Sequence, residues 1–174
     1  VHSLSGTAGF AALGAAVGVA VMNNSVNVGL DGAVTTSGLL KGSAEDSQSI
    51  LVKSLGAAAG GAAAGLVLGV AAHDSVVSLT VDDNAVLDAG ADLELASSSQ
   101  GAVELSGRGA AGGILAGINA TVLVARDQST AKLSVGSGAS LKANNHLSLT
   151  ATASPKIKAS SQGISLGGYV AAGA

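Results

Sequence analysis

The sequence predicts an all-β chain, a parallel β-solenoid (β-helix) built from repeats of about 52 residues. Two observations carry this. A small-residue phrase recurs as AGFAALG from Ala8, AGGAAAG from Ala59 and AGGILAG from Ala111, and LGGYVAAG follows from Leu166. Each full copy then leads through the same pieces in the same order, and within those pieces apolar and polar residues alternate. Alternation with period two places successive side chains on opposite faces, which is a half-buried strand and not a helix. The 174 residues form a single solenoid segment with repeats at 8–58, 59–110 and 111–165 and a partial fourth at 166–174.

Composition agrees. The chain holds 26 glycines, one proline, one Phe and one Tyr, and no Trp or Cys. Aromatic side chains normally remove the most apolar area from water. Their near absence leaves Val, Leu, Ile and Ala to fill the interior, so the buried layers should be thin and flat. Eight basic against 11 acidic residues give a net charge of −3 with no basic run, which argues against a nucleic-acid partner. Without cysteine there are neither disulfides nor thiolate metal sites. The chain opens at Val1 with no basic n-region, so it reads as a fragment or processed piece with any signal peptide outside it.

The elements follow in order. Each small-residue phrase runs into an apolar piece: AAVGVAVM, LVLGVAA, INATVLVA. It is apolar on both faces, as a strand covered on both sides is. The expected register aligns Val17, Val67 and Thr121, then Gly18, Leu68 and Val122, then Val19, Gly69 and Leu123. A short polar turn ending in serine follows at 23–25, 73–75 and 127–129 (NNS, HDS, DQS). Next come the alternating VNVGL, VVSLTV and TAKLSV, a Gly/Asp/Asn-rich turn, and a second alternating piece such as ADLELASSSQ. In VVSLTVD, Val77, Leu79 and Val81 oppose Ser78, Thr80 and Asp82. A unit of this length predicts two or three coils, each resting on the last at about 4.8 Å.

The stretch 51–75 also admits a membrane-helix reading, since Gly61, Gly65 and Gly69 fall four apart. Ala and Gly are nearly neutral in transfer to lipid, no interfacial Trp or Tyr flanks the stretch, and the third copy carries Arg108 and Asn119. No membrane span is therefore expected, and a membrane-active glycine-zipper or pore-forming segment is the alternative. In the strand reading, small residues such as Gly61, Gly65, Gly69, Gly113 and Gly117 let flat sheets or neighbouring rods approach, and mark an expected association surface.

Candidate sites are few. Asn24, Asp74 and Gln128, with Ser25, Ser75 and Ser129, are expected to stack as a structural polar ladder. Asp82, Asp83, Asp88 and Asp92 form the acidic cluster, but the other repeats lack these carboxylates and the calcium nonapeptide is missing, so they read as solubilising turn charges. His2, His73 and His146 occupy non-equivalent places without metal-ligand spacing. No serine has a motif that would activate it. Asn23-Asn24-Ser25 and Asn119-Ala120-Thr121 fit the glycosylation sequon. The chain is thus read as a non-enzyme with no catalytic residue, metal or cofactor.

The segments GVAVMNNSVNVGLDGA (18–33), GVAAHDSVVSLTVDDNAVLDAGADLELAS (69–97) and LVARDQSTAKLSVGSGASLKANNHLSLTATA (123–153) resemble the repeats of large bacterial adhesins, the leukotoxin-like and filamentous-haemagglutinin-like exoproteins. The resemblance implies a right-handed parallel β-helical rod, on the bacterial cell surface or secreted, and the chain is read as a structural segment of such a rod, serving adhesion or a biofilm matrix. Self-association into a fibre or bundle is expected from the apolar strands, with a host or matrix glycan or protein as the further partner class. The resemblance supplies no catalytic motif.

Overall fold

The alternating pieces join into strands far longer than any of them. In the computed structural model, which describes residues 1–168 and 170–173, the chain forms β1 (His2–Leu30), β2 (Ala33–Thr36), β3 (Leu40–Val81), β4 (Val86–Ala89), β5 (Leu93–Val135), β6 (Ser140–Ala143), β7 (Leu147–Gly167) and β8 (Val170–Gly173). Of the partial fourth repeat, Tyr169 and Ala174 lie outside the described residues. No helix occurs among the described residues. All pairing is parallel: β1, β3, β5 and β7 neighbour in that order, β8 extends the layer of β7 on β5, and β2, β4 and β6 form a second, narrow sheet. The chain is a parallel β-solenoid.

Register corrects the expected coil count. His2 pairs with Lys53, Leu40 with Leu93 and Leu93 with Leu147, so each residue meets its neighbour one whole repeat later. One repeat is one coil, not two or three. Pattern alone could not show this, because alternation is a local signal and marks no level change.

Each coil is a flattened loop. In β3, residues 40–60 run outward and 61–81 run back, and the two legs face each other. Asp46 meets Ser75 and Ala58 clusters with Ala63. A leg of some twenty residues spans about 65 Å at about 3.3 Å per residue. The corner lies at Gly60–Gly61, where the β3–β5 register shifts by one residue. Inward positions switch there from even numbers (Ala44, Ile50, Val52, Ala58) to odd ones (Ala63, Val67, Ala71, Val77, Leu79). The far end is closed by the narrow sheet. Its turns use left-handed backbone at Gly32, Gly138 and Asn84, the last being a residue type that tolerates that region.

The interior tapers, and residue size sets the taper. Beside the narrow sheet Val77, Leu79, Leu87, Leu93 and Leu95 form the widest cluster. Ile50, Val52, Ala71, Val103 and Leu105 form a second cluster further along, and at the corner only Ala12, Ala58 and Ala63 remain. Glycine on one leg repeatedly faces a larger side chain across the gap or one coil away. A Cβ on Gly42 would stand 2.9 Å from Leu95, one on Gly18 2.8 Å from Val52, and one on Gly107 2.7 Å from Thr121. Such separations are too short for real carbon contacts, so a side chain at these positions would have to push its neighbours' ends aside. The thin, flat interior expected from composition is present in this form.

Candidate functional site

Two features set the chain's chemistry: a polar seam inside the coil and an apolar face outside it. NNS, HDS and DQS, expected as turns, lie within β1, β3 and β5 in mid-strand. The polar columns run Asn23–Asp74–Gln128 on the outside and Asn24–Ser75–Ser129 on the inside. Asp74 and Gln128 do stack, as do Ser75 and Ser129, but Asn24 stands over Ser75 and Ser25 over Val76. The same one-residue offset moves Val17 onto Leu68 and Val122, while Val67 pairs with Ala16 and Thr121, and Gly18 pairs with Gly69. The reason is burial. A slip of one residue turns every side chain to the other face, and the observed register keeps Val26 and Val28 over Val77 and Leu79 in the core.

The seam separates the two larger apolar clusters. Asp46, 6% exposed, accepts hydrogen bonds from Asn24 Nδ2 (2.5 Å), Gln48 Nε2 (3.1 Å) and Ser75 Oγ (2.6 Å), and Ser99 Oγ donates to Ser75 Oγ at 3.1 Å. Burial pushes the Asp46 carboxyl up, but the bonds from Ser75, Gln48 and Asn24, helped by nearby His73, outweigh it and hold its pKa below the ordinary carboxylate value. One position further along, His73 Nδ1 lies 3.1 Å from Asp127 Oδ1 of the next coil, with both side chains enclosed. Ser129 Oγ donates to the same Asp127 oxygen at 2.7 Å. His73 Nε2 and Asp127 Oδ2 have no protein partner. Imidazole, carboxylate and hydroxyl therefore meet, but in a closed interior, where they tie coil to coil.

Other polar residues tie coils from the outside. Ser78 Oγ donates to Asn27 (2.5 Å), Thr80 and Ser134 hydroxyls lie 3.1 Å apart, and Arg126 pairs with Asp74 at 3.3 Å while donating to Gln128. The acidic cluster divides in the same way. Asp88 meets Lys142 at 3.2 Å, Asp83 accepts from the Ser137 amide at 2.6 Å, and Asp92 accepts from the His146 amide at 3.2 Å. No group of three His, Cys, Asp or Glu suited to a metal ion occurs among the described residues. Asn119 is 2% exposed, which closes its sequon, while Asn23 points outward.

The glycines expected at an association surface lie elsewhere. Gly65, Gly69 and Gly117 are buried on the inner side of the return leg, and Gly61 and Gly113 sit at the corner. Their outward neighbours make the apolar face. Leu13, Val17, Val19, Leu66, Ile118 and Val122 are between 42% and 70% exposed. Gly56 instead lets the legs close on Val67, while Gly65 and Gly69 leave room for the Asn119 and Leu123 side chains of the next coil.

Sequence reasoning missed Asp46, Ser99 and Asp127. The signal for Asp127 was present, since it lies one coil after His73, but only the true register exposes it. No described helix is long and apolar enough to cross a membrane. No protein-family model, curated protein or solved structure matches the chain.

Proposed function

We propose that the chain is a structural segment of a filamentous bacterial adhesin, displayed at the cell surface or secreted, where it acts as a rod or fibre for adhesion or a biofilm matrix. The carrying observation is the use of its chemistry: His73 with Asp127, Asp46 with Ser75, and Asp88 with Lys142 all hold the solenoid together. Backbone pairing supports the same reading. The outermost strands β1 and β7 carry donor and acceptor rows in the spacing of the inner strands, so the architecture extends by stacking, as repeat proteins do. The resemblance of 18–33, 69–97 and 123–153 to large bacterial exoproteins points the same way.

Antibody raised against the chain tests the placement. It is expected to label intact cells of the source organism, or their culture medium, without permeabilisation. Labelling only after permeabilisation would overturn the reading. Beads coated with the chain should also bind cells or matrix above a coated-albumin control, and binding equal to the control counts against adhesion.

A further inference from the structure

We infer that the outer face of the outgoing leg (40–60 in β3), over its half nearest the corner, docks on an anionic membrane surface. The inference goes beyond the rod reading and does not depend on it. Stacking assembles there what the sequence keeps apart. Lys53, Arg108, Lys156 and Lys158 belong to three successive coils, yet all four point outward at levels equivalent to residues 49–55 of β3. Lys53 and Arg108 stand two strand positions and one coil apart, about 8 Å along the sheet. Half of the chain's eight basic residues thus share this patch with one of its 11 acidic residues, Glu104, which lies 3.7 Å from Lys158. The patch is positive on a chain whose net charge is −3.

Apolar side chains occupy the same face. Leu4, Leu51, Leu55, Ile164 and Leu166 point outward among or beside the cations and are between 37% and 79% exposed. Leu4, Leu55 and Arg108 form one column, and Gly6, Ala57 and Ala110 form the next. A shallow hollow opens at each. The first, about 670 Å³, has Lys53, Ser106, Arg108 and Ser160 in its lining. The second, about 510 Å³, is floored by Ala57, Ala59, Ala110 and Gly112 beside Ile164 and Leu166. Cations and hydroxyls in one hollow and small apolar residues in its neighbour match a lipid phosphate and the start of its acyl chain.

That combination selects the occupant. A soluble polyanion would engage the cations but leave Leu4, Ile164 and Leu166 in water. A second copy turned face to face would set cation against cation. An anionic bilayer takes both kinds of residue. Each Lys or Arg near its surface raises partitioning about fivefold, and exposed apolar side chains enter the boundary between headgroups and acyl chains.

Flotation of the intact chain with lipid vesicles tests this. Phosphatidylcholine vesicles with about 30 mol% phosphatidylglycerol are expected to carry about tenfold more chain than phosphatidylcholine alone, and the excess should vanish at about 0.5 M salt. Lys53→Glu with Arg108→Glu should cut the binding at least about tenfold. Lys132→Glu with Lys142→Glu, the same charge change on the return leg and the narrow sheet, should cut it less than about threefold, because the field falls off within a Debye length. Leu55→Ser with Leu166→Ser should weaken vesicle binding but not binding to dextran sulfate. Circular dichroism confirms that each variant compared is folded. Equal binding to the two kinds of vesicle, or equal loss from the two charge-reversal pairs, overturns the inference. So does vesicle binding that survives the leucine substitutions, which would mark a site for soluble polyanions. None of these results alters the antibody and bead measurements, so the rod reading stands or falls separately.

Discussion

Asn119 lies across the interior from Gly109, and its side chain fills the space that a Cβ on residue 109 would take. Asp127 stands in the same relation to Gly101. The two legs of one coil are thus complementary in size, position by position. Gly109→Val and Gly101→Val should each cost about 1–3 kcal/mol by overpacking. Gly112→Ala, where nothing lies within 4 Å of a new Cβ, should change stability by less than about 0.5 kcal/mol. Urea unfolding of the three variants checks the contrast.

Neighbouring residues should respond unequally to truncation. Val67 is 0% exposed and Leu66 42% exposed. Val67→Ala is expected to cost on the order of 2 kcal/mol, and Leu66→Ala about 0.5 kcal/mol. The reverse order in thermal or urea unfolding would mean the two faces of the strand had been exchanged.

Acid should weaken the seam through Asp46. Its folded-state pKa is lowered, so the unfolded chain binds the proton more readily. The contribution is fully present above the unfolded value of about 3.9 and fades as pH falls through the folded value. Asp46→Asn should flatten the stability profile below about pH 4. A profile that keeps its acid slope in this variant would place the effect on other carboxylates.

His73 and Asp127 should be coupled across coils. Asp127→Ala leaves the buried His73 imidazole without its side-chain partner, and His73→Ala leaves the Asp127 carboxylate with Ser129 alone, which is the costly way to break such a pair. A double-mutant cycle is expected to return a coupling on the order of 1–3 kcal/mol. Additive costs would show that the pair contributes nothing beyond its members' packing.

Much of the fold was legible because strand alternation is a local signal. Val77, Leu79 and Val81 face inward as the pattern requires, and the thin interior follows from the shortage of aromatics. The coil count was hidden, since the Gly60–Gly61 corner looks like any other small-residue stretch. The ladder was off by one place because a serine common to NNS and HDS is a weaker anchor than the glycines: Gly14 stands over Gly65 and Gly18 over Gly69. The seam was illegible for a related reason. Asp46 and Ser75 come together only when a coil folds back on itself, and no local pattern records that. The apolar outer face is carried by Leu66 and Val122, whereas the glycines beside them, Gly65, Gly69 and Gly117, lie inside the coil.

The central claim is that one repeat makes one coil. Ser25, Val76 and Thr130 occupy a single outward column, so Ser25 and Thr130 are two coils apart. Nitroxide labels on a Ser25→Cys/Thr130→Cys variant measure that separation by electron paramagnetic resonance. With strands about 4.8 Å apart, the backbone positions lie about 10 Å apart, and the frozen spectrum should show strong dipolar broadening. Two or three coils per repeat would place them about 19–29 Å apart, and a spectrum without that broadening would contradict the account.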